Sequence, residues 1–230
     1  MSARRRYPAR VSSAPPAPAR LVVTDVDSTF ITAEVIELLA ERAGSRERVA
    51  EITERAMRGE LDFAESLLER VATLEGLPVE VFDEVLAELE LSPGARELVA
   101  ELQSRGWPLA LVSGGFAEVV EPLAASLGIE HVRANRLEVA DGRLTGRVSG
   151  EIVDRAGKER ALREFAALLE IPLERTIAIG DGANDLDMLR TAGLGIAFNA
   201  KPLVCEQVDF EVTGRLDAVL AIVDAHPLAG

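Results

Sequence analysis

The sequence contains two groups of aspartates, and each group directly follows a short apolar run. Asp25 and Asp27 follow the first run, and Asp181 and Asp185 follow a later one. Carboxylate oxygens, together with waters and substrate phosphate, are the ligands that Mg²⁺ prefers. A carboxylate can also attack phosphorus as a nucleophile, or transfer a proton as a general acid or base. The spacing therefore predicts metal-assisted chemistry on a phosphate ester, although either group alone also fits ordinary turns.

Two further polar groups lie between the aspartates in the sequence. Ser113 and Gly114 follow the apolar run PLALV, and Lys158 opens a predicted helix. A hydroxyl and a backbone N–H can hold phosphoryl oxygens, and an ammonium adds a fixed positive charge. The chain has 23 Arg but only two Lys, Lys158 and Lys201, and an ammonium is the more compact charge. Lys158 is thus a candidate phosphate ligand, with a surface lysine at a helix start as the alternative.

Four apolar runs bounded by turn residues have the pattern of buried parallel strands. They are residues 21–24, 108–112, 176–179 and 193–197. Alternating residues on both sides of Asp141 and Gly142 predict a β-hairpin between 139 and 148. Each polar group lies just beyond a predicted strand or at the start of the next helix, where open α/β sheets bind ligands. We therefore predict an α/β fold in which the polar groups meet at one edge of the sheet.

Residues 34–91 differ from the rest of the chain because they show helical periodicity and no strand pattern. The apolar residues with helical spacing are Ile36, Leu39 and Ala43, then Phe63, Leu67, Val71 and Leu74, then Phe82, Val85 and Leu89. We predict a helical cap inserted into an α/β core that comprises residues 21–33 and 92–230. Residues 1–20 are Arg-rich and contain a proline cluster, so we predict a disordered tail.

The composition limits the classes of partner. With 230 residues, 48% of them apolar, the chain is long enough for one complete core and a small second domain. A formal net charge of −14 disfavours nucleic acid and anionic membranes, so a phosphate site needs its own local positive charge. The longest apolar stretches are far too short to span a membrane. The single cysteine, Cys205, predicts a buried thiol and a location in the reducing cytoplasm. The sequence leaves the oligomeric state open between monomer and homodimer.

Longer segments of the sequence carry a resemblance to a known family. They are DVDSTFITAEVI, ERAMRGELDFAESLLERV, LVSGGF, ANRLEVADGRLTGRVSG and IAIGDGANDLDMLRTAGLGIAFNAKP. Between about residues 21 and 210 the chain resembles the haloacid dehalogenase superfamily, and within it the phosphoserine phosphatase family. The resemblance implies a Rossmann-like core with a mostly parallel sheet and an inserted helical cap for substrate specificity. It also implies Mg²⁺-dependent hydrolysis of O-phosphoserine to serine and phosphate through an aspartyl-phosphate, the last step of serine biosynthesis.

The resemblance implies a role for each aspartate. Asp25 matches the family's nucleophile, and Asp27 matches the acid that protonates the leaving serine oxygen and later deprotonates water. Mg²⁺ would be held by Asp25, Asp181 and the main-chain carbonyl of Asp27, while Asp185 orients these ligands. Two close carboxylates can take different roles because a metal on one of them separates their pKa values.

The resemblance also implies which residues bind the substrate. Ser113, Gly114 and Lys158 match residues that hold the phosphoryl group, and Asn184 matches a further substrate-binding residue. Glu34 matches the residue that receives the substrate ammonium, and Met57 and Phe63 match apolar residues on the cap side, which core packing explains equally well.

Arg70 matches the residue that holds the substrate carboxylate, which a guanidinium can bind through two hydrogen bonds. The helical pattern alone leaves a second reading open for Arg70. It places the residue within or beside the apolar stripe of its helix, where only its aliphatic part need be buried.

Other functions are compatible with parts of the pattern. An enzyme of the same fold could act on another small phosphomonoester, prefer either enantiomer of phosphoserine, or pass the phosphoryl group to a second alcohol. A phospho-aspartate signalling receiver also uses acids, Mg²⁺, a hydroxyl residue and a lysine, but it lacks a helical cap and its acceptor follows a later strand. A non-catalytic descendant would be expected to lack the nucleophile, whereas Asp25 is present.

Overall fold

A computed structural model describes residues 19–226, so the predicted tail lies outside the described residues except for residues 19 and 20. Within that range a seven-stranded sheet forms the centre of the molecule, in the order β4-β3-β2-β1-β5-β6-β7. The strands are β1 (Leu21–Asp25), β2 (Leu109–Phe116), β3 (His131–Ala140), β4 (Arg143–Ser149), β5 (Thr176–Gly180), β6 (Leu194–Phe198) and β7 (Phe210–Val212). Neighbouring strands are parallel except for the antiparallel pair β3 and β4.

The position of β1 determines where the polar groups meet. All five residues of β1 are buried, and the strand pairs with β2 on one side and β5 on the other. Because the strand order changes direction beside β1, a crevice opens beyond the carboxyl ends of these strands. Asp25 ends β1 and Gly180 ends β5, so both residues lie at this crevice. The predicted Rossmann-like α/β fold with a mostly parallel sheet is confirmed.

β2 is longer than the sequence predicted, and this changes the local setting of Ser113 and Gly114. Ser113 and Gly114 were expected beyond the strand, but β2 continues as far as Phe116. The pairing with β1 ends at Val112, and the pairing with β3 shifts register between Val112 and Phe116. The intervening residues are therefore extended but irregularly paired, which leaves backbone groups free to face the crevice.

The predicted hairpin is confirmed as β3 and β4. Its turn consists of Asp141 and Gly142, with φ values of 50° and 72°, which is the left-handed pair that a tight hairpin turn requires. β3 begins earlier than predicted because its first residues pair with β2 instead of β4. β7 was not predicted, since three residues are too few for a periodic pattern.

Helices cover both faces of the sheet. Between β1 and β2 lie α1 (Val35–Ala43), α2 (Arg46–Met57), α3 (Phe63–Ala72), α4 (Val81–Glu88) and α5 (Ala95–Arg105). After β2 lie α6 (Ala117–Ser126), α7 (Arg155–Leu168), α8 (Leu186–Thr191), α9 (Pro202–Cys205) and α10 (Val219–Ala225), with 3₁₀ turns at Leu173–Arg175, Ala183–Asp185 and Leu216–Ala218. The helical periodicity that predicted the cap therefore corresponds to α1, α3 and α4, while α2 was not singled out.

Helices α1 to α4 pack onto the sheet layer through shared apolar residues. Leu39 of α1 and Leu67 of α3 belong to the same buried cluster as Leu111 of β2. The chain between α3 and α4 also pairs with the hairpin, because Gly76 N–H donates to the carbonyl of Leu144 at 2.8 Å. These contacts fix the position of the helices over the carboxyl ends of β1 and β2. The domain boundaries at 34 and 91 stay a proposal.

The composition predicted that no segment crosses a membrane and that Cys205 is buried. Among residues 19–226, each helix is too short or too polar to cross a membrane. Cys205, expected to be buried, is only half-buried at the end of α9, because this four-residue helix lies at the protein surface.

Candidate active site

A buried lysine joins two of the predicted aspartates at the centre of the crevice. Lys158 Nζ lies 2.5 Å from Asp25 Oδ1 and 2.7 Å from Asp185 Oδ1. Lys158 lies in the first turn of α7, where Asp154 caps the helix by accepting from Gly157 N–H at 2.7 Å. The cap and the burial of Lys158 fix the ammonium next to both carboxylates.

Burial and charge act in opposite directions on these groups. Burial favours neutral Lys158, but the adjacent carboxylates of Asp185 and Asp25 together raise its pKa above the usual value. Burial and the neighbouring Asp185 also raise the pKa of Asp25 well above its ordinary value, against the effect of Lys158. The ammonium therefore stays charged, and the surrounding carboxylates still have an excess of negative charge.

Three aspartates form a group that can hold a metal ion. One carboxylate oxygen each from Asp25, Asp181 and Asp185 lies within 4.8 Å of the others. Thr29 Oγ1 donates to Asp181 at 3.2 Å, and Gly182 N–H donates to Asp185 at 3.0 Å, so both side chains are held in place. Oxygen ligands at this spacing suit a hard divalent cation. Asp185 was predicted only to orient the ligands, whereas the geometry presents its carboxylate beside the other two.

Asp27 is not part of this group of three, and its side chain is held by two donors. Val35 N–H donates to Asp27 Oδ1 at 2.8 Å, and the Ser113 hydroxyl donates to Asp27 Oδ2 at 2.8 Å. Gly115 N–H in turn donates to Ser113 Oγ at 2.7 Å, and a Cβ at Gly115 would lie 2.7 Å from Asp27 Oδ2. Burial raises the pKa of Asp27, while the bonds from Val35 and Ser113 oppose the rise. The two predicted acids thus have different surroundings.

Glu34 immediately precedes α1 and points into the same crevice. It accepts a hydrogen bond from the Ser28 hydroxyl at 2.7 Å. Burial, and then the charge of Asp27, raises the pKa of Glu34 to about 7, against the hydrogen bond from Ser28. Glu34 therefore titrates near neutral pH, and an added positive charge nearby would favour its ionised form.

Arg70 lies on α3 and lines the same crevice as Glu34. Its Nε donates to the carbonyl of Ser66 at 3.2 Å, and within residues 19–226 the guanidinium forms no ion pair. Burial lowers the pKa of Arg70, while the charges of Glu34 and Asp27 raise it. A half-buried guanidinium without a carboxylate partner among the described residues is able to bind an anion.

The crevice is a cavity of about 520 Å³ that is lined by residues of the sheet edge and of the cap helices. Ten of the predicted site residues line it, namely Asp25, Asp27, Glu34, Met57, Phe63, Arg70, Gly114, Lys158, Asp181 and Asn184. Ser113 and Asp185 are fully buried just behind its wall, where they bond Asp27 and Lys158. Met57 is 73% exposed, so it lies at the cavity rim. The structure brings all twelve predicted residues to one place.

Comparison with known proteins agrees with this geometry. Residues 22–190 match a family model of haloacid dehalogenase-like hydrolases. The chain belongs to the haloacid dehalogenase-like hydrolase family. Among curated members, phosphoserine phosphatase SerB2 of Mycobacterium tuberculosis is 57% identical over 89% of this chain and 50% of that protein. Phosphoserine phosphatase of Streptococcus thermophilus is 57% identical over 89% of this chain and 95% of that protein.

The similarity to haloacid dehalogenase-like hydrolases extends to solved structures. A phospho-aspartyl intermediate analogue of phosphoserine phosphatase has a TM-score of 0.84 and 40% identity, and covers 90% of this chain and 100% of that chain. The chain spans about half the length of the first curated relatives it matches. The resemblance inferred from the motifs is thus confirmed.

Some residues of this haloacid dehalogenase-like site were not singled out in the sequence. Asn135 on β3 donates from Nδ2 to the Gly114 carbonyl at 2.8 Å and accepts from Val153 N–H at 2.8 Å. The sequence could have indicated Asn135, because strand alternation places this polar residue on the same buried face as Leu137. Lys201 lies exposed at the cavity rim. No pattern in the sequence indicated the hydrogen bond between Ser28 and Glu34.

Proposed function

We propose that this chain hydrolyses O-phosphoserine to serine and inorganic phosphate through an aspartyl-phosphate on Asp25. One observation carries the proposal. A single cavity is lined by Asp25, which bonds Lys158, by Glu34, and by Arg70, which has no ion-pair partner among residues 19–226. This is the charge pattern that complements a phosphate, an ammonium and a carboxylate on one small molecule. The identity to phosphoserine phosphatases supports the same assignment.

In the first step an Asp25 carboxylate oxygen attacks phosphorus as the bond from phosphorus to the serine oxygen breaks. Asp27 donates a proton to that oxygen, so serine leaves as the neutral alcohol. Ser113 and Gly114 N–H hold the phosphoryl oxygens, with Lys158 supplying positive charge and Asn184 a further polar contact. The Ser113 hydroxyl donates to Asp27 in the structure, so it would exchange this acceptor for a phosphoryl oxygen when the substrate binds.

In the second step water attacks the phosphorus of the aspartyl-phosphate. Asp27, now ionised, accepts the proton of the attacking water, and the bond between phosphorus and the Asp25 oxygen breaks. Phosphate leaves, and both carboxyl groups return to their starting states. The different surroundings of the two aspartates support a division between nucleophile and proton carrier.

We propose that Mg²⁺ is the metal and that Asp25, Asp181 and the main-chain carbonyl of Asp27 hold it, with Asp185 at their side. The donor set fits, because the carboxylate oxygens of three of these aspartates lie within 4.8 Å of one another. When bound, the ion neutralises charge on the phosphoryl oxygens. Asp185 would then divide its interactions between the ion and Lys158.

Two other residues of the cavity would select the amino-acid part of the substrate. Arg70 would bind the carboxylate, and Glu34 would bind the ammonium. Phe63 and Met57 would contact the apolar part of the substrate from the cap side. A cytoplasmic location also stays a proposal, supported by the single cysteine.

The experiment is phosphate release by the purified full chain with Mg²⁺, using phosphoserine, phosphoethanolamine, 3-phospholactate and a sugar phosphate. We expect phosphoserine to have the highest kcat/KM, because the other esters lack one or both charges that Arg70 and Glu34 complement. Adding candidate alcohols, with detection of any new phosphate ester, distinguishes hydrolysis from transfer to a second alcohol. Equal rates on all four esters would contradict the proposed substrate.

A further inference from the structure

Ser28 has a backbone conformation that side chains with a Cβ rarely adopt. Its φ is 57°, in the left-handed region, where glycine is unstrained and other residues are not. The conformation closes the turn between Asp27 and Glu34, since Ser28 N–H donates to the Ala33 carbonyl at 3.2 Å. Because glycine would make this turn without strain, the strained serine points to a role for its side chain.

The hydroxyl of Ser28 has one acceptor, the Glu34 carboxylate at 2.7 Å. Among residues 19–226, Glu34 accepts no other side-chain hydrogen bond, and it does not cap the N-terminus of α1 although it precedes that helix. Ser28 is therefore the contact that orients this carboxylate.

The charges around Glu34 explain why orientation matters. Asp27, Asp181 and Glu37 repel its ionised form, whereas Arg70, which lines the same cavity, attracts it. Glu34 and Arg70 line the same cavity and, among residues 19–226, form no ion pair with each other. A Glu34 carboxylate that turned toward the guanidinium and reached it would form such a pair. Such a pair would neutralise both groups and remove the ammonium site and the carboxylate site together.

We propose that Ser28 is a positioning residue for substrate selectivity, whose hydroxyl holds Glu34 apart from Arg70 so that Glu34 can accept a substrate ammonium. This inference rests on the proposed function. It explains why a serine occupies a strained turn position next to Asp27. It also gives a role in substrate selectivity to a residue that is not proposed to contact the substrate.

The test compares Ser28→Ala, Ser28→Gly and Ser28→Thr with the wild type. For each protein, kcat/KM is measured with phosphoserine and with 3-phospholactate, which has a hydroxyl in place of the ammonium. Loss of a hydrogen bond to a charged group should lower the ratio of the two values by about 10- to 100-fold in the alanine and glycine variants. Ser28→Thr keeps a hydroxyl and should retain most of the ratio.

Thermal unfolding separates the backbone effect from the hydroxyl effect. Ser28→Gly should melt above Ser28→Ala by about 2–4 °C, because only glycine relieves the strain. Ser28→Thr should melt lowest, because a β-branched residue is the least tolerant of this φ. If selectivity followed melting temperature instead of the hydroxyl, Ser28 would be structural and the inference would be wrong.

A double-mutant cycle with Glu34→Gln tests whether Ser28 acts through Glu34. Ser28→Ala should lower the substrate ratio in the wild-type background and leave it nearly unchanged in the Glu34→Gln background. Equal losses in both backgrounds would overturn the inference. A wild-type ratio near one would instead overturn the proposed substrate, so the two failures are distinguishable.

Discussion

The backbone N–H of Val35 donates to Asp27 Oδ1 at 2.8 Å and so connects the first cap helix to the predicted proton carrier. Val35 is the first residue of α1 and directly follows Glu34. The amide that holds Asp27 and the carboxylate proposed to bind the ammonium are therefore adjacent in the chain. The proposed substrate contact at Glu34 and the orientation of Asp27 thus depend on the same helix start.

The nucleophile is tested by Asp25→Asn. An amide cannot form the acyl phosphate, so turnover should fall to background while the protein stays folded. Phosphate release is the measurement, with mass spectrometry to exclude deamidation. Asp224→Asn, which removes a surface carboxylate that pairs with Arg105, should retain activity. Substantial turnover by Asp25→Asn would remove Asp25 from the proposed role.

Metal removal tests the carboxylate group. Three carboxylates near a phosphate dianion repel it strongly without a compensating cation. Exhaustive chelation should abolish phosphate release, and titration with Mg²⁺ should restore it. Mg²⁺ should also raise the melting temperature of the wild type, and chelation should reverse that rise. Full activity after metal removal would contradict a metal-dependent reaction.

Arg70→Ala tests the site for the substrate carboxylate. Loss of a half-buried charged partner should lower kcat/KM for phosphoserine by about 30-fold or more. The loss should be much smaller for phosphoethanolamine, which has no carboxylate. Arg58→Ala is the matched control, because Arg58 lies exposed just after α2 and, within residues 19–226, pairs only with Glu54 and Glu60. Equal losses on both esters would mean that Arg70 supports the fold of the cap.

The pKa of Glu34 predicts a pH dependence of selectivity. Burial raises this pKa to about 7, so Glu34 is mostly neutral below that pH and ionised above it. The ratio of kcat/KM for phosphoserine to that for 3-phospholactate should therefore rise about tenfold between roughly pH 6 and pH 8. Both esters share the phosphate ionisation, which cancels in the ratio. A flat ratio, or one that falls with pH, would exclude Glu34 as the group for the ammonium.

Asn135→Ala tests the link between β3 and the end of β2 that is proposed to bind phosphate. The change leaves the Gly114 carbonyl and the Val153 N–H without their partner, at a cost of about 2–4 kcal/mol in the free energy of unfolding. The melting temperature should drop by roughly 5–15 °C, and kcat should fall because the Ser113 region loses its support. Gln103→Ala, at an exposed amide, is the control and should change neither value. Unchanged stability would show that water replaces the amide.

Local patterns in the sequence determined much of the fold. Apolar runs with turn residues at their ends specified β1, β5 and β6 because burial on both faces of a parallel sheet requires such runs. Asp141 and Gly142 specified the hairpin because a tight turn needs residues that tolerate positive φ. Polar residues at strand ends specified the site, since parallel strands bring their carboxyl ends to one edge.

The tertiary structure alone decided which partners these residues have. Lys158 bonds Asp25 from 133 positions away, and Asn135 joins Gly114 to Val153 across β3. Such contacts depend on strand register and on the packing of the cap helices, which no local periodicity encodes. The strain at Ser28 arises for the same reason, because the path of the chain from β1 into α1 sets its φ. Residue types thus fixed the chemistry, and long-range packing fixed the distances.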